Sequence, residues 1–379
     1  MGLTFEPLGK YVRLVDERNT NMVTESVLGI NIDKYFMPSV ANVIGTDLSN
    51  YKLLRKGRFA CNPMHVGRDG RLPVSRYTEA VPAIVSPAYF MFEIIDENEI
   101  EPEYLMLCFR RPDFDRMCWF RTDASVRGGI TWEDVCALTI PVPPISEQRK
   151  IVHDYQVITD RIGLLRKMNE NLEEQILAVY HQMFDADGVC HDGTVSMLGD
   201  VIGGATPSTE NPEYFCSDGI VWLSPKDLTG TGLKFIFKGE TDITEEGYNS
   251  CSTKMLPKGS VLLTSRAPVG TVAIAMKEMC TNQGFKSIVP KADYWTTYIY
   301  CLLKDNKQLL EANASGTTFL EISGDTLKKL VVPMPDDEIV KKFYDCCKPF
   351  FEQQMLFEKE CTQLSMLASV RVSSIAKGA

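Results

Sequence analysis

Two stretches of this 379-residue chain concentrate guanidinium and ammonium groups. Between Tyr51 and Tyr77 stand Lys52, Arg55, Lys56, Arg58, Arg68, Arg71 and Arg76 against one acid, Asp69. Between Ser252 and Lys291 stand Lys254, Lys258, Arg266, Lys277, Lys286 and Lys291 against Glu278. Such side chains neutralise phosphates, which gives affinity regardless of base sequence, and an arginine fork can also bridge the O6 and N7 acceptors of guanine. Contact with duplex DNA is the chemistry these residues can do; for any one of them a solvated basic face is the alternative. The chain as a whole carries a formal net charge of −10, so that contact must be local and not a coat over the whole surface.

Other reactive groupings offer less. Asn62-Pro63-Met64-His65 shares an Asn-Pro start with the motif by which adenine methyltransferases grip an amino group, but lacks the second proline and the aromatic. No glycine-rich loop is placed to hold S-adenosylmethionine; Gly128-Gly129 and Gly203-Gly204 read as turn glycines, and no GxxxxGK[ST] loop occurs for ATP. Asp336, Asp337 and Glu338 with Lys341 come nearest to a nuclease's clustered carboxylates, and read more simply as acids at a helix N-terminus. His65, His153, His181 and His191 fall at no ligand spacing, and the twelve cysteines, without a CxxC pair, read as reduced, buried thiols, so no metal is expected. These residues predict a binding protein with no catalytic site and no cofactor of its own. Without a basic leader or a run of about 18 apolar residues, the expected location is the cytoplasm and not a membrane.

The elements that must position the basic residues are written twice. Leu8-Gly9 recurs as Leu198-Gly199, Gly29-Ile30 as Gly219-Ile220, Leu54-Arg55-Lys56-Gly57 as Leu256-Pro257-Lys258-Gly259, and Pro141-Val142-Pro143 as Pro333-Met334-Pro335. The offsets of 190, 190, 202 and 192 keep the landmarks in order, with an insertion of about a dozen residues between the second and third and a loss of about ten before the fourth, so this is an internal duplication. The basic stretches occupy equivalent places in the two copies.

Each copy ends in a long helical segment. From about Ser146 to Phe184 a heptad seam reads Ile151, Tyr155, Ile158, Ile162, Leu165, Asn169, Leu172, Ile176, Val179 and Met183, apolar at every place but Asn169. Asn169 is either a register pin or a solvated seam position. The charges Arg161, Arg166, Lys167, Glu170, Glu173 and Glu174 fall outside the seam. The second seam is weaker: Phe343, Cys347, Phe350, Gln354, Phe357, Cys361, Leu364, Ala368, Arg371 and Ile375, with Pro349 set to kink the helix or to mark its true start. A helix of about 38 residues spans roughly 57 Å. The two make natural partners, with Ile158, Ile162, Leu165, Asn169, Leu172, Phe350, Phe357 and Leu364 as the interface and register positions. The globular parts read as α+β, with strands at 83–85, 89–94, 261–264, 272–275 and 286–289 and helices at 103–111 and 294–311.

At this point the sequence resembles a known family, the specificity subunits of Type I restriction-modification systems. The second half carries the closest likeness: Gly203-Gly204-Ala205-Thr206-Pro207-Ser208, Trp222-Leu223-Ser224-Pro225-Lys226-Asp227, Thr264-Ser265-Arg266-Ala267-Pro268-Val269-Gly270, and Thr281-Asn282-Gln283-Gly284-Phe285-Lys286. Ala83 to Tyr89 and Pro141 to Arg149 are similar to the family in the first half, which lacks the GGxTPS opening and the SRxPxG turn. The resemblance implies two target recognition domains, 1–144 and 188–335, joined by two antiparallel conserved helices, 145–187 and 336–379, in a pseudo-two-fold arrangement. It implies one bipartite, asymmetric double-stranded DNA target, with the helices setting the spacing between half-sites. Two methyltransferase subunits and the restriction subunits would dock on this chain and use S-adenosylmethionine, ATP and magnesium. The DNA contacts expected are Arg58, Asn62, Arg68, Arg71 and Arg76 in the first domain and Thr206, Lys226, Arg266, Asn282, Gln283 and Lys286 in the second. The rival class is a coiled-coil scaffold whose globular ends bind protein.

Overall fold

The computed structural model describes residues 4–64, 66–122, 128–230, 232–316 and 320–376. The chain divides into two units, Met1–Ile162 with Gln363–Ala379, and Gly163–Thr362. The architecture is mixed α and β.

In the first unit the strands run β1 (Phe5–Pro7), β2 (Val12–Leu14), β3 (Val27–Ile30), β4 (Phe36–Pro38), β5 (Lys52–Leu54), β6 (Phe59–Cys61), β7 (Val74–Arg76), β8 (Ala83–Val85), β9 (Phe90–Ile94) and β10 (Thr139–Pro141). β1 pairs antiparallel with β10, and two four-stranded sheets have the orders β2-β9-β6-β7 and β4-β3-β8-β5, with β3 and β8 parallel. Strands β5, β6 and β8 are buried along their whole length, as in sheets covered on both faces. The helices are α1 (Val66–Asp69), α2 (Pro102–Phe109), α3 (Pro112–Phe120) and α4 (Trp132–Cys136). α2 starts where Pro102 sets the first turn and the Glu101 carboxylate accepts the Tyr104 N–H. It drives Phe109 edge-on into the stacked pair Phe59 and Phe92, at 6.2 and 6.3 Å between ring centroids. Each such ring contributes about 1.5–3 kcal/mol of burial.

The second unit repeats this plan with β11 (Cys190–Thr194), β12 (Gly199–Gly203), β13 (Phe215–Cys216), β14 (Ile220–Leu223), β15 (Phe235–Ile236), β16 (Asp242–Ile243), β17 (Val261–Leu263), β18 (Val272–Ala275), β19 (Cys280–Thr281), β20 (Lys286–Pro290) and β21 (Val331–Pro335). β11 pairs antiparallel with β21, as β1 does with β10. Its sheets, β12-β20-β17-β18-β15 and β13-β16-β14-β19, again contain a parallel pair, β14 with β19. The matched landmarks hold matched places. Leu8 and Leu198 are fully buried, and Gly57 and Gly259 sit at φ +92° and +89°, where a side chain is strained. The Tyr104 and Tyr298 hydroxyls each donate to a carbonyl of the terminal ribbon, Pro141 O and Pro333 O. The backbone N–H of Ile130 donates to Pro63 O at 3.1 Å, and that of Ile322 to Ser265 O at 3.0 Å, pinning the turn after β6 and after β17.

Short helices α6 (Val195–Leu198), α7 (Pro225–Thr229) and α8 (Glu245–Asn249) precede α9 (Trp295–Asp305), α10 (Lys307–Ala312) and α11 (Gly324–Lys329). The single helix read over 294–311 is thus two: Asn306 leaves helical geometry at ψ 29° and turns its amide onto Leu302 O. The helix read over 103–111 ends at Phe109, because α3 restarts at Pro112.

The long helices are α5 (Ile145–Phe184) and α12 (Asp337–Ser374). α5 opens on Gln148, fully buried in the first unit, whose amide donates to Glu99 O and Pro143 O and accepts from Glu101 N–H. α12 runs through exposed Pro349 without ending there. In the second unit Phe184 stacks edge-on against Phe343 while Asn169 meets Gln354, so α5 and α12 run antiparallel there. No seam position of α5 is exposed, but beyond buried Ile176 the buried side chains are Tyr180 and Phe184, each one residue past the seam positions Val179 and Met183. On α12, Arg371 is exposed and Val372 is buried in its stead. A straight helix falls behind a strict heptad by about 20° per repeat, so after four or five repeats the next residue occupies the seam.

Candidate nucleic-acid interface

The two basic stretches differ in their local surroundings. In the first unit the acids that the sequence stretch lacks arrive from elsewhere. Arg58 is turned inward, only 15% exposed, and divides its guanidinium between Leu53 O at 2.8 Å and the Glu17 carboxylate at 2.6 Å. Arg55 reaches the same carboxylate, and its guanidinium, with Arg58 behind it, holds Glu17 below the usual carboxylate range. Lys52 is buried and donates to Tyr89 O. Arg76 pairs with Glu103 at 2.7 Å on the neighbouring helix α2. Arg58 and Arg76, read from sequence as DNA contacts, are therefore tied into the fold. Asn62 accepts from the Met64 N–H in a local turn and is half-buried; His65 lies outside the described residues. Arg68 and Arg71 remain at the surface, each in an exposed ion pair, with Asp69 and Asp33. Exposed pairs of this kind are worth little and exchange readily for another anion.

The second unit gathers five of its six predicted residues. Gly204 leaves no room for a side chain: a Cβ there would stand 2.0 Å from Thr281 O. This close approach lets Ala205 N–H bond Thr281 O at 3.0 Å and brings Thr206 against the loop after β19, where its hydroxyl bonds Gln283 Oε1. Trp222 Nε1 donates to Ala205 O and Asn282 N–H to Leu223 O, so β14 ties both segments together. The Asn282 side-chain Oδ1 accepts the Gly284 N–H, shaping the turn that presents Gln283. Ser265 N–H bonds Gly284 O, which places the turn carrying Arg266 beside the same loop.

Two cations then meet one carboxylate that the sequence reading passed over: Arg266 lies 3.8 Å from Glu321 Oε2 and Lys286 lies 3.6 Å from Glu321 Oε1. Lys286 also donates to the carbonyls of Gln283 and Phe285. Thr206, Arg266, Asn282, Gln283 and Lys286 thus form one cluster, whereas the Lys226 side chain turns to Glu240, 3.0 Å away and well exposed. Glu321 has no sequence signature; only the strand-like bridge of Ser315 with Glu321 and the Ile322 clasp bring it in.

A second feature absent from the sequence reading lies where α5 and α12 meet within the second unit. Lys234 is 5% exposed, and its ammonium contacts Glu173 Oε2 at 2.8 Å and Gln354 Oε1 at 2.7 Å over the rings of Tyr300 and Phe351. Glu173, read as falling outside the heptad seam, faces this layer and also accepts the Tyr300 hydroxyl. Burial opposes ionisation of Glu173, and the Lys234 charge with three hydrogen bonds outweighs it, so its carboxyl sits below the ordinary value. Burial raises Glu358, although the N–H groups of Lys234 and Phe235 both bond its carboxylate. Asn169 joins through its backbone carbonyl, which accepts from Gln354.

Among the described residues no group of three His, Cys, Asp or Glu could hold a metal ion, and no helix is long and apolar enough to cross a membrane. No disulfide joins the cysteines among the described residues; not all are buried as expected, since Cys346 is exposed, while burial pushes Cys108 up to about 12.

Residues 192–364 match the model of the Type I restriction modification DNA specificity domain. The MjaIX specificity subunit of Methanocaldococcus jannaschii, a Type I restriction enzyme component, is 40% identical over 176 residues, 44% of this chain and 40% of that subunit's length. The HindI specificity subunit of Haemophilus influenzae is 22% identical across 91% of both chains. The fold is similar to the crystal structure of the Type I restriction-modification system S subunit from M. genitalium, with a TM-score of 0.58 and 12% identity over 99% of this chain and 96% of that one. Residues 192–364 are thus similar to the DNA specificity domain of Type I restriction-modification systems, and the chain as a whole is similar to their specificity subunits.

Proposed function

We propose that this chain reads double-stranded DNA for a Type I restriction-modification complex and performs no catalysis itself. The observation that carries this reading is the cluster of Thr206, Arg266, Asn282, Gln283 and Lys286 in the unit that matches the DNA specificity domain. It combines phosphate-neutralising charge with the amide and guanidinium groups that read base edges. The repeated sheet topology supports one further half-site for the first unit, and the unequal surroundings of the two turns support an asymmetric target. In this reading α5 and α12 set the distance between half-sites as an antiparallel pair. Two methyltransferase subunits using S-adenosylmethionine, and restriction subunits using ATP and magnesium, supply the chemistry.

The test is DNA binding by the chain assembled with its methyltransferase. Affinity should fall steeply with salt, and two separated patches of one duplex should be protected. Protection of one patch, or affinity indifferent to salt, overturns the proposal in favour of a protein-binding scaffold. Insertion of whole helical turns into α5 should change the spacer and leave both half-site sequences unchanged; sequencing the methylome of cells carrying the complex reads out both.

A further inference from the structure

Arg266 and Lys286 approach Glu321 without hydrogen-bonding it. Separations of 3.8 and 3.6 Å give charge attraction but lie beyond a normal hydrogen bond, so both carboxylate oxygens keep acceptor capacity toward an incoming N–H. Glu321 is 38% exposed and Arg266 35%, so both tips are open to a ligand while their backbones are fixed. The fixing is specific: Ser315 and Glu321 exchange two backbone hydrogen bonds at 3.0 and 2.9 Å, and Ile322 N–H clasps Ser265 O, next to Arg266.

A carboxylate beside two DNA-binding cations is a liability if the cluster only meets phosphates, because it repels them. It becomes an asset against a base edge that offers a donor. In the major groove a G·C pair presents the guanine O6 and N7 acceptors and, alongside, the cytosine N4 amino donor. An arginine and a carboxylate held side by side match that pattern: guanidinium to guanine, carboxylate to cytosine. Building on the DNA-reading function above, we propose that Glu321 is a specificity-determining residue that accepts from cytosine N4 of the pair whose guanine takes Arg266. Among its described residues the first unit shows no such device. By the matched clasps of Ile130 and Ile322, the place of Glu321 is taken there by Gly129, which has no carboxylate to offer.

The experiment is selection from a random double-stranded DNA pool by the full chain with its methyltransferase, as wild type, Glu321→Gln, Glu321→Ala and Arg266→Ala. Thermal unfolding verifies folding, and the glutamine variant keeps the side-chain shape if the alanine variant is unstable. Wild type should return a fixed G·C pair in one half-site. The Glu321 and Arg266 variants should relax that same pair, with discrimination falling about tenfold or more, and leave the other half-site intact. If Glu321 variants keep the full sequence preference and change only overall affinity, Glu321 is an ion-pair partner and the inference fails while DNA reading stands. If wild type selects no bipartite sequence, the DNA-reading proposal itself fails, and this inference with it.

Discussion

Replacing Lys234 with methionine removes a cation that sits on Glu173 and Gln354 at 2.8 and 2.7 Å with only 5% of its side chain exposed. Methionine retains the aliphatic stem and its packing on Tyr300 and Phe351, so the loss is almost purely electrostatic. What remains is the Glu173 side chain, 18% exposed, still hydrogen-bonded by Tyr300 and Gln354 but with no opposing charge. Breaking a buried pair from one side costs about 3–5 kcal/mol, and the two surviving hydrogen bonds place this case near about 3. For a unit of this size that lowers the unfolding temperature by roughly 6–12 °C. Because the pair also bears the burial penalty of two charges, removing both partners as Lys234→Met with Glu173→Leu should restore most of the loss, a coupling of at least about 2 kcal/mol. Urea unfolding followed by tryptophan fluorescence measures the four members of the cycle, and hydrogen exchange at residues 234–236 assigns the loss to the second unit. A single variant costing under about 1 kcal/mol, or a double variant equal to the sum of the singles, refutes the reasoning.

The other predictions are shorter. Arg58→Ala should cost about 1–3 kcal/mol in thermal unfolding, by stranding Leu53 O and Glu17, and leave DNA sequence preference unchanged. Gly204→Ala should cost about 1–3 kcal/mol or more, since its Cβ meets Thr281 O, and should weaken recognition of one half-site in a binding assay. The Glu173 carboxyl is held below its unfolded value near 4.5, so the stability it contributes is present above that pH and is lost as pH falls through the folded value. Glu173→Gln should therefore flatten the acid limb of the stability curve below about pH 4.5, measured by urea midpoints at several pH values.

Much of this molecule was legible from local signals. Periodicity located α5 to within a residue at each end, and the repeated landmarks carried the shared turns, because a glycine at positive φ or a buried leucine leaves its mark at one position. Charge was not legible in the same way. Arg55 and Arg58 look unopposed in sequence, yet their partner Glu17 comes from 38 residues away on the Arg55 side, and Arg76 finds Glu103 on a different element. Counting charges along the chain cannot see neutralisation across a sheet. Glu321 and Lys234 escaped for the same reason: each is a single polar residue with no periodic context, given its role by pairings set only when distant segments fold together. In the second unit the family-like segments did converge, because Gly204 and Gly284 permit close backbone approach that other residues would block.

The layer of Lys234, Glu173, Gln354 and Asn169 has a consequence for how such a chain can diverge. Sliding α5 along α12 by one heptad would move Glu173 about two turns, roughly 10 Å, away from Lys234, stranding both charges, so the pair has a single low-energy setting in the second unit. That setting involves only a short stretch of each helix. Heptads gained or lost in α5 before Gly163, outside this unit, leave it untouched. Insertions there are open to evolutionary trial without misfolding this unit, which makes helix length a heritable variable separable from helix pairing.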